Sequence, residues 1–299
     1  MARTEDDNWN ITESVGATAL GVAMARAAES SCDCPLFTDP YAQLFIEAAT
    51  EHGWQPTASM TERVRIVGGY AAARTKWFDE YFIAAGANGI DQAVILAAGL
   101  DARAWRLPWV DGSTVYEIDQ PQVLAFKADT LTAHSAKSAA AYRAVPVDLR
   151  ANWPKALQEA GFDPSTPTAW SAEGLLPYLP AAGQDLLFER VAELSAEGSR
   201  IAVEALGPNT FDPEYLERRR EQLRRAGIDS SGPDTADLWF IEERADLTEW
   251  LTERGWEVTA VEALSLMERY DRAPSADDED LTPRSVFIEA RLPLAGSPA

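Results

Sequence analysis

The chain has 299 residues, 46% of them hydrophobic and 25% charged, the composition of an ordinary globular protein long enough for one large α/β domain or a domain carrying a lid. Its 48 acidic residues against 26 basic ones give a formal charge of −22, which excludes a nucleic-acid partner because such binding needs clustered Lys and Arg. No stretch approaches the roughly 18 apolar residues of a membrane span, and Met1 to Asp7 is too acidic for a signal peptide, so a cytoplasmic protein without a membrane partner is expected.

Val15 to Glu29 is rich in helix formers and sets Val15, Ala19, Val22 and Ala23 at helical spacing. Cys32 and Cys34 follow, too close for an ordinary disulfide and lacking the second half of a zinc site; with His52 and His134 isolated, no metal is expected. Asp39-Pro40 caps a helix over Tyr41 to Ala49, and a loop runs from Gly53 to Pro56. Thr61 to Ala85 reads as a helix interrupted near Gly68-Gly69, with Tyr70, Trp77, Phe78, Tyr81 and Phe82 as its aromatic face.

From Gln92 the pattern alternates between strand and helix. Strands are predicted at Ala93 to Ala98, Thr114 to Asp119, Tyr142 to Val147, Thr168 to Glu173 and Arg200 to Ala205, with helices at Pro121 to Ala133, Trp153 to Ala160 and Ala182 to Glu197. Gly207 to Arg244 breaks the rhythm around a charged helix, Glu214 to Ala226, and reads as an insertion above the sheet. A helix at Asp246 to Arg254 leads to two last strands, Trp256 to Ala263 and Ser285 to Leu292, joined across the acidic turn Asp277 to Asp280 with no helix between; an antiparallel hairpin is expected there.

The strand ends carry the chemistry. Ala97-Ala98-Gly99-Leu100-Asp101 leaves the first strand, and about twenty residues on Val115-Tyr116-Glu117-Ile118-Asp119 ends in acid, the pattern of a nucleotide-binding unit. The turn lacks the further glycines of G-x-G-x-x-G, which argues against a dinucleotide pyrophosphate. Strand ends supply Asp101, Asp119, Asp148 and Glu173 in succession. An acid there serves either as a helix cap or as a ligand contact, and four in a row point to a site. Asp119 suits the two hydroxyls of a ribose, and Asp148 the amino group of an adenine that packs on Leu149.

These stretches resemble the leucine carboxyl methyltransferase-like family of S-adenosylmethionine-dependent methyltransferases, most closely its mycobacterial and actinomycete branch. The matching motifs are Ser14 to Ala19, Asp39-Pro40-Tyr41-Ala42, Ala71 to Thr75 with Phe78-Asp79, Ala98 to Arg103, Tyr116 to Pro121, Val147 to Arg150, and Ala172 to Leu176 with Tyr178. The resemblance implies a class I, Rossmann-like α/β fold: a mostly parallel seven-stranded sheet closed by an antiparallel hairpin, with a helical cap. It also implies S-adenosyl-L-methionine as cofactor. Arg74 would clamp the methionine carboxylate, Gly99 would admit the methionine backbone, Asp119 would hold the ribose, Asp148 and Leu149 the adenine, and Glu173 would lie beside the methionine amino group. Two departures stand out: Ala97 and Thr38 replace a glycine and a lysine of the eukaryotic members, the second weakening any identity of substrate.

Residues 1–90 are thus expected to form a helical cap and 91–299 the catalytic core, with a cap insertion at about 207–244. The expected reaction is in-line methyl transfer to a carboxylate of a small molecule, which needs no general base and leaves the catalytic residues unassigned. Tyr178 or Glu173 would be the base for a hydroxyl acceptor. Trp54, Trp77, Trp170 and Trp239 suit either an acceptor pocket or the core. The alternatives are a nicotinamide-dependent reductase and a non-catalytic nucleoside-binding protein.

Overall fold

The computed structural model describes residues 14–207, 210, 212–225, 228, 239–275 and 278–294. Three helices come first: α1 (Ser14–Ser30), α2 (Ala42–Glu51) and α3 (Ala58–Ala87). The Asp39 carboxylate accepts from the amides of Tyr41 and Ala42 at 3.0 and 3.1 Å, satisfying donors that the start of α2 leaves open. Thr57 caps α3 by accepting from the Met60 amide at 3.1 Å.

Helix α3 runs unbroken through Gly68-Gly69, where the sequence predicts an interruption. A Cβ on Gly69 would stand 2.8 Å from the carbonyl oxygen of Arg272. That glycine therefore permits a close crossing of two backbones instead of breaking the helix.

The alternating segment follows as β1 (Gln92–Leu96), α4 (Arg103–Arg106), β2 (Thr114–Asp119), α5 (Pro121–Ala133), β3 (Ala141–Pro146), α6 (Trp153–Glu159), β4 (Thr168–Ala172), α7 (Ala181–Glu193), β5 (Arg200–Leu206), α8 (Pro213–Arg225), α9 (Leu247–Glu253), β6 (Glu257–Glu262), α10 (Ala263–Arg269) and β7 (Ser285–Arg291). The seven strands lie in the order β3-β2-β1-β4-β5-β7-β6, with β7 antiparallel to both β5 and β6 and the other pairs parallel. The expected closing antiparallel pair is present. Its connection, however, contains α10 and a 3-10 turn at Glu279–Leu281, which the sequence reading lacked. Leu266 and Met267 of α10 are buried in the cluster that holds Tyr70 and Trp77, so tertiary packing decides the helical state of that short segment.

All five residues of β1 are buried. Val94 and Leu96 pack with Ile118, Trp170, Leu187 and Leu251 on one face, while Ala93 and Ile95 pack with Phe78, Phe82, Leu266 and Phe287 on the other. A strand covered on both sides needs this continuous apolar run. Helices α1 and α2 make a third cluster, in which Leu20 and Phe45 pack with Leu100, Val123 and Leu131.

Of the expected insertion, α8 falls among the described residues, whereas Pro208, Pro233 and the acidic Asp277 lie outside them. Among the described residues no helix is long and apolar enough to cross a membrane.

Candidate active site

In the sheet order the chain steps outward from β1 to β2 and β3, then returns across to β4 and β5. Open α/β sheets bind ligands beyond the carboxyl ends of their strands at such a reversal, here between β1 and β4. The turn after β1 lies there. Gly99 takes φ +53°, a left-handed conformation suited to glycine, and its amide donates to Oδ2 of Asp119 at 2.6 Å. The Gln120 amide donates to Oδ1 at 2.6 Å. Burial pushes the Asp119 carboxyl up, and these two amides oppose the rise. Ala97 also sits at φ +53°, so an alanine occupies a position that favours glycine, at a cost of about 1 kcal/mol.

Gln120 carries the site outward. Its side-chain amide donates to Oδ2 of Asp148 at 2.7 Å, so the ends of β2 and β3 are tied together. Asp148 also accepts from the Arg150 amide at 2.8 Å and pairs with its guanidinium at 2.6 Å. Leu149 is half-buried against the main core cluster.

On the other side of Gly99, Arg74 reaches from α3 to the ends of β4 and β5. Its Nε stands 3.0 Å from Oε1 of Glu173 and its Nη1 3.1 Å from Oε2 of Glu204. Glu173 also receives Arg103 Nη1 at 2.7 Å on its second oxygen. Arg103 is fully buried and bonds Asp101 and, at 2.7 Å, Asp79, which in turn holds Arg106 at 2.6 Å. Burial disfavours the charge on Arg74, but Glu204 and Glu173 outweigh it and hold the guanidinium protonated. Burial likewise works against Asp101, yet Arg103, Lys127, Arg26 and Arg106 keep its carboxyl down at about 2. Glu173 is held below the usual range in the same way, burial being outweighed by Arg103 and Arg74. Arg74, Asp101 and Glu173 are therefore ionised at neutral pH.

The structure thus joins Arg74 to Glu173, Gly99 to Asp119, and Asp119 to Asp148 through Gln120. Sequence reading missed Glu204, Tyr70, Asp79 and Arg103, although an acid inside the apolar run Ile201-Ala202-Val203-Glu204-Ala205 was a signal in plain view. Trp54, Trp77 and Trp170 are buried core residues, while Trp239 is half-buried and meets the Tyr178 hydroxyl, which also meets Thr18.

Known proteins resemble this chain along most of its length. The sequence model described as leucine carboxyl methyltransferase matches residues 19–192. A protein of Mycolicibacterium paratuberculosis is 52% identical across 97% of both chains, and one of Mycobacterium avium is 50% identical across 97% of this chain and 98% of its own. A third, from Mycobacterium tuberculosis, is 48% identical across 97% of this chain and 99% of its own. All three carry names of S-adenosyl-L-methionine-dependent methyltransferases. A DUF574 family protein from Streptomyces avermitilis shares the fold, with a TM-score of 0.55 at 16% identity over 91% of this chain and 97% of that one. The chain belongs to the leucine carboxyl methyltransferase family.

Proposed function

We propose that this protein, an S-adenosyl-L-methionine-dependent methyltransferase, transfers its methyl group to a carboxylate oxygen of a small molecule. Family membership supports methyl transfer over hydride transfer. The residues present fit the cofactor. Arg74 has Nε and Nη1 against two glutamates, while no described residue hydrogen-bonds its Nη2, a donor end suited to the methionine carboxylate. In this reading Gly99 admits the methionine backbone, Glu173 lies beside the amino group, Asp119 holds the ribose, and Asp148 with Leu149 holds the adenine. When bound, the cofactor supplies an electrophilic methyl on a sulfonium sulfur. The chain's own work is to hold the acceptor in line with it, and positioning of this kind lowers a barrier by roughly 7 to 11 kcal/mol. Residues 1–90 would close over the cofactor, and the insertion at 207–244 over the acceptor.

The state of the two candidate bases carries the choice of acceptor. Both oxygens of Glu173 face arginines, and burial pushes the Tyr178 hydroxyl up. Neither is a ready proton acceptor at neutral pH, so a hydroxyl would lack a base. A carboxylate needs none. Incubation with methyl-labelled cofactor and a panel of carboxylic acids, alcohols and phenols tests this: methyl esters are expected, and transfer to alcohols or phenols alone would refute the carboxylate reading.

A further inference from the structure

Glu204 stands near the end of β5 with almost no exposure, and both of its oxygens are fully engaged. Oε1 accepts from the hydroxyl of Tyr70 and, at 3.3 Å, from that of Ser285. Oε2 accepts from the Gly174 amide at 2.8 Å and from Arg74 Nη1 at 3.1 Å. Three firm donors occupy the two oxygens, and the Ser285 hydroxyl, 2.8 Å from that of Tyr70, shares its one hydrogen between Tyr70 and Glu204, so little acceptor capacity of the carboxylate stays open. Glu204 therefore cannot serve as a free base, and much of its negative charge is already compensated before any ligand arrives.

The donors come from three places: α3 supplies Tyr70 and Arg74, the turn after β4 supplies Gly174, and β7 supplies Ser285. Tyr70 and Arg74 are one helical turn apart on the same face of α3. Gly174 directly follows Glu173, the other glutamate on Arg74, and holds φ +63°. One buried carboxylate thus fixes both the arginine and the backbone beside its second partner.

We infer that Glu204 is a positioning residue: it locks the Arg74 guanidinium, by way of Nη1, so that its Nη2 end, which no described residue hydrogen-bonds, is presented to the carboxylate of the cofactor's amino-acid part. This rests on the Arg74 role proposed above. An arginine already held in its binding rotamer loses little side-chain freedom on binding, which is the physical gain from such a lock. Like-charge repulsion between Glu204 and the incoming carboxylate is muted by the Tyr70, Ser285 and Gly174 donors, which stabilise Glu204 independently of Arg74.

The test compares two ligands by calorimetry on the full chain. S-adenosylhomocysteine carries the amino-acid carboxylate; 5′-methylthioadenosine has the nucleoside without it. Glu204→Gln should weaken S-adenosylhomocysteine about tenfold, the effect of one charge-assisted hydrogen bond, and leave 5′-methylthioadenosine within about twofold. Tyr70→Phe, which removes one donor with little change in volume, should show the same ligand-selective pattern at about threefold, and it decides the matter if Glu204→Gln does not fold. Equal weakening of both ligands, or unchanged S-adenosylhomocysteine affinity, would overturn the inference. Arg74→Ala separates the two claims. Selective loss in Arg74→Ala without selective loss in the other variants sinks only the role of Glu204, whereas no selective loss in Arg74→Ala removes the Arg74 reading and this inference with it.

Discussion

The amide of Gly99 and the carboxylate of Asp119 meet at 2.6 Å across twenty residues of chain, tying the turn after β1 to the end of β2. The bond makes one carboxylate both the fixer of the glycine turn and the proposed ribose ligand. Asp119→Asn keeps the side chain's shape but loses charge-assisted acceptance, a change of about 1.5 to 3 kcal/mol per bond. Cofactor affinity should fall by roughly 10- to 150-fold in calorimetry with S-adenosylhomocysteine. Near-normal affinity would take Asp119 out of the site.

Arg103 should prove the most costly arginine to remove. Arg103→Met leaves Asp101 without its buried ion-pair partner and cuts Asp79 and Glu173 back to Arg106 and Arg74, and breaking a buried pair costs about 3 to 5 kcal/mol. Arg150→Ala, by contrast, breaks a pair whose side chains are 44% and 28% exposed, worth at most about 1 kcal/mol. Urea unfolding of the two variants measures the difference directly, and similar midpoints would contradict the buried network.

The two adjacent glycines of α3 should respond with opposite signs. Gly68 has open space where a Cβ would go, so Gly68→Ala should stabilise by about 0.8 to 1 kcal/mol through helix propensity. At Gly69 the new Cβ would meet the Arg272 carbonyl oxygen at 2.8 Å. Overpacking of that kind costs about 1 to 3 kcal/mol and should outweigh the propensity gain. Thermal melting of the two single variants reads the signs; a stabilised Gly69→Ala would mean that the crossing is looser than described.

A pH signature should come from Glu117, which lies fully buried against Lys127, Nζ to Oε2 2.5 Å. Burial pushes its carboxyl up to about 7, and Lys127 and Tyr142 offset this only in part. The folded state then holds a proton that the unfolded state releases near 4.5, so this group's contribution to stability is full below about 4.5 and is lost as pH rises through about 7. The slope is at most about 1.4 kcal/mol per pH unit in that window. The double variant Glu117→Gln, Lys127→Met removes the titrating carboxyl together with its partner and should flatten the dependence. An unchanged slope between pH 5 and pH 7 in denaturant titrations, at about 1 kcal/mol resolution, would assign it to other groups.

Much of the fold was legible because its signals are local. Apolar runs mark the strands, Asp39 and Asp246 mark helix starts, and the strand-end acids Asp119, Asp148 and Glu173 stand at the ends of strands that form as expected. Helix α10 was not legible, since Ala263–Arg269 directly continues a strand-like run and owes its helical state to the packing of Leu266 and Met267 beneath α3. The same holds for Gly68-Gly69, where sequence shows a helix breaker and only the neighbouring Arg272 backbone explains it.

By itself, then, the sequence determined the family, the order of the strands and of the longer helices, and which acids would stand at strand ends, because periodicity, capping and short motifs are properties of contiguous residues. Tertiary structure alone decided that β7 lies between β5 and β6, and that Glu204 meets Tyr70 and Arg74 from 134 and 130 residues away. Such meetings depend on which strands become neighbours. A buried charge is tolerated only where the completed fold brings its partners within hydrogen-bond reach, and no local pattern records that.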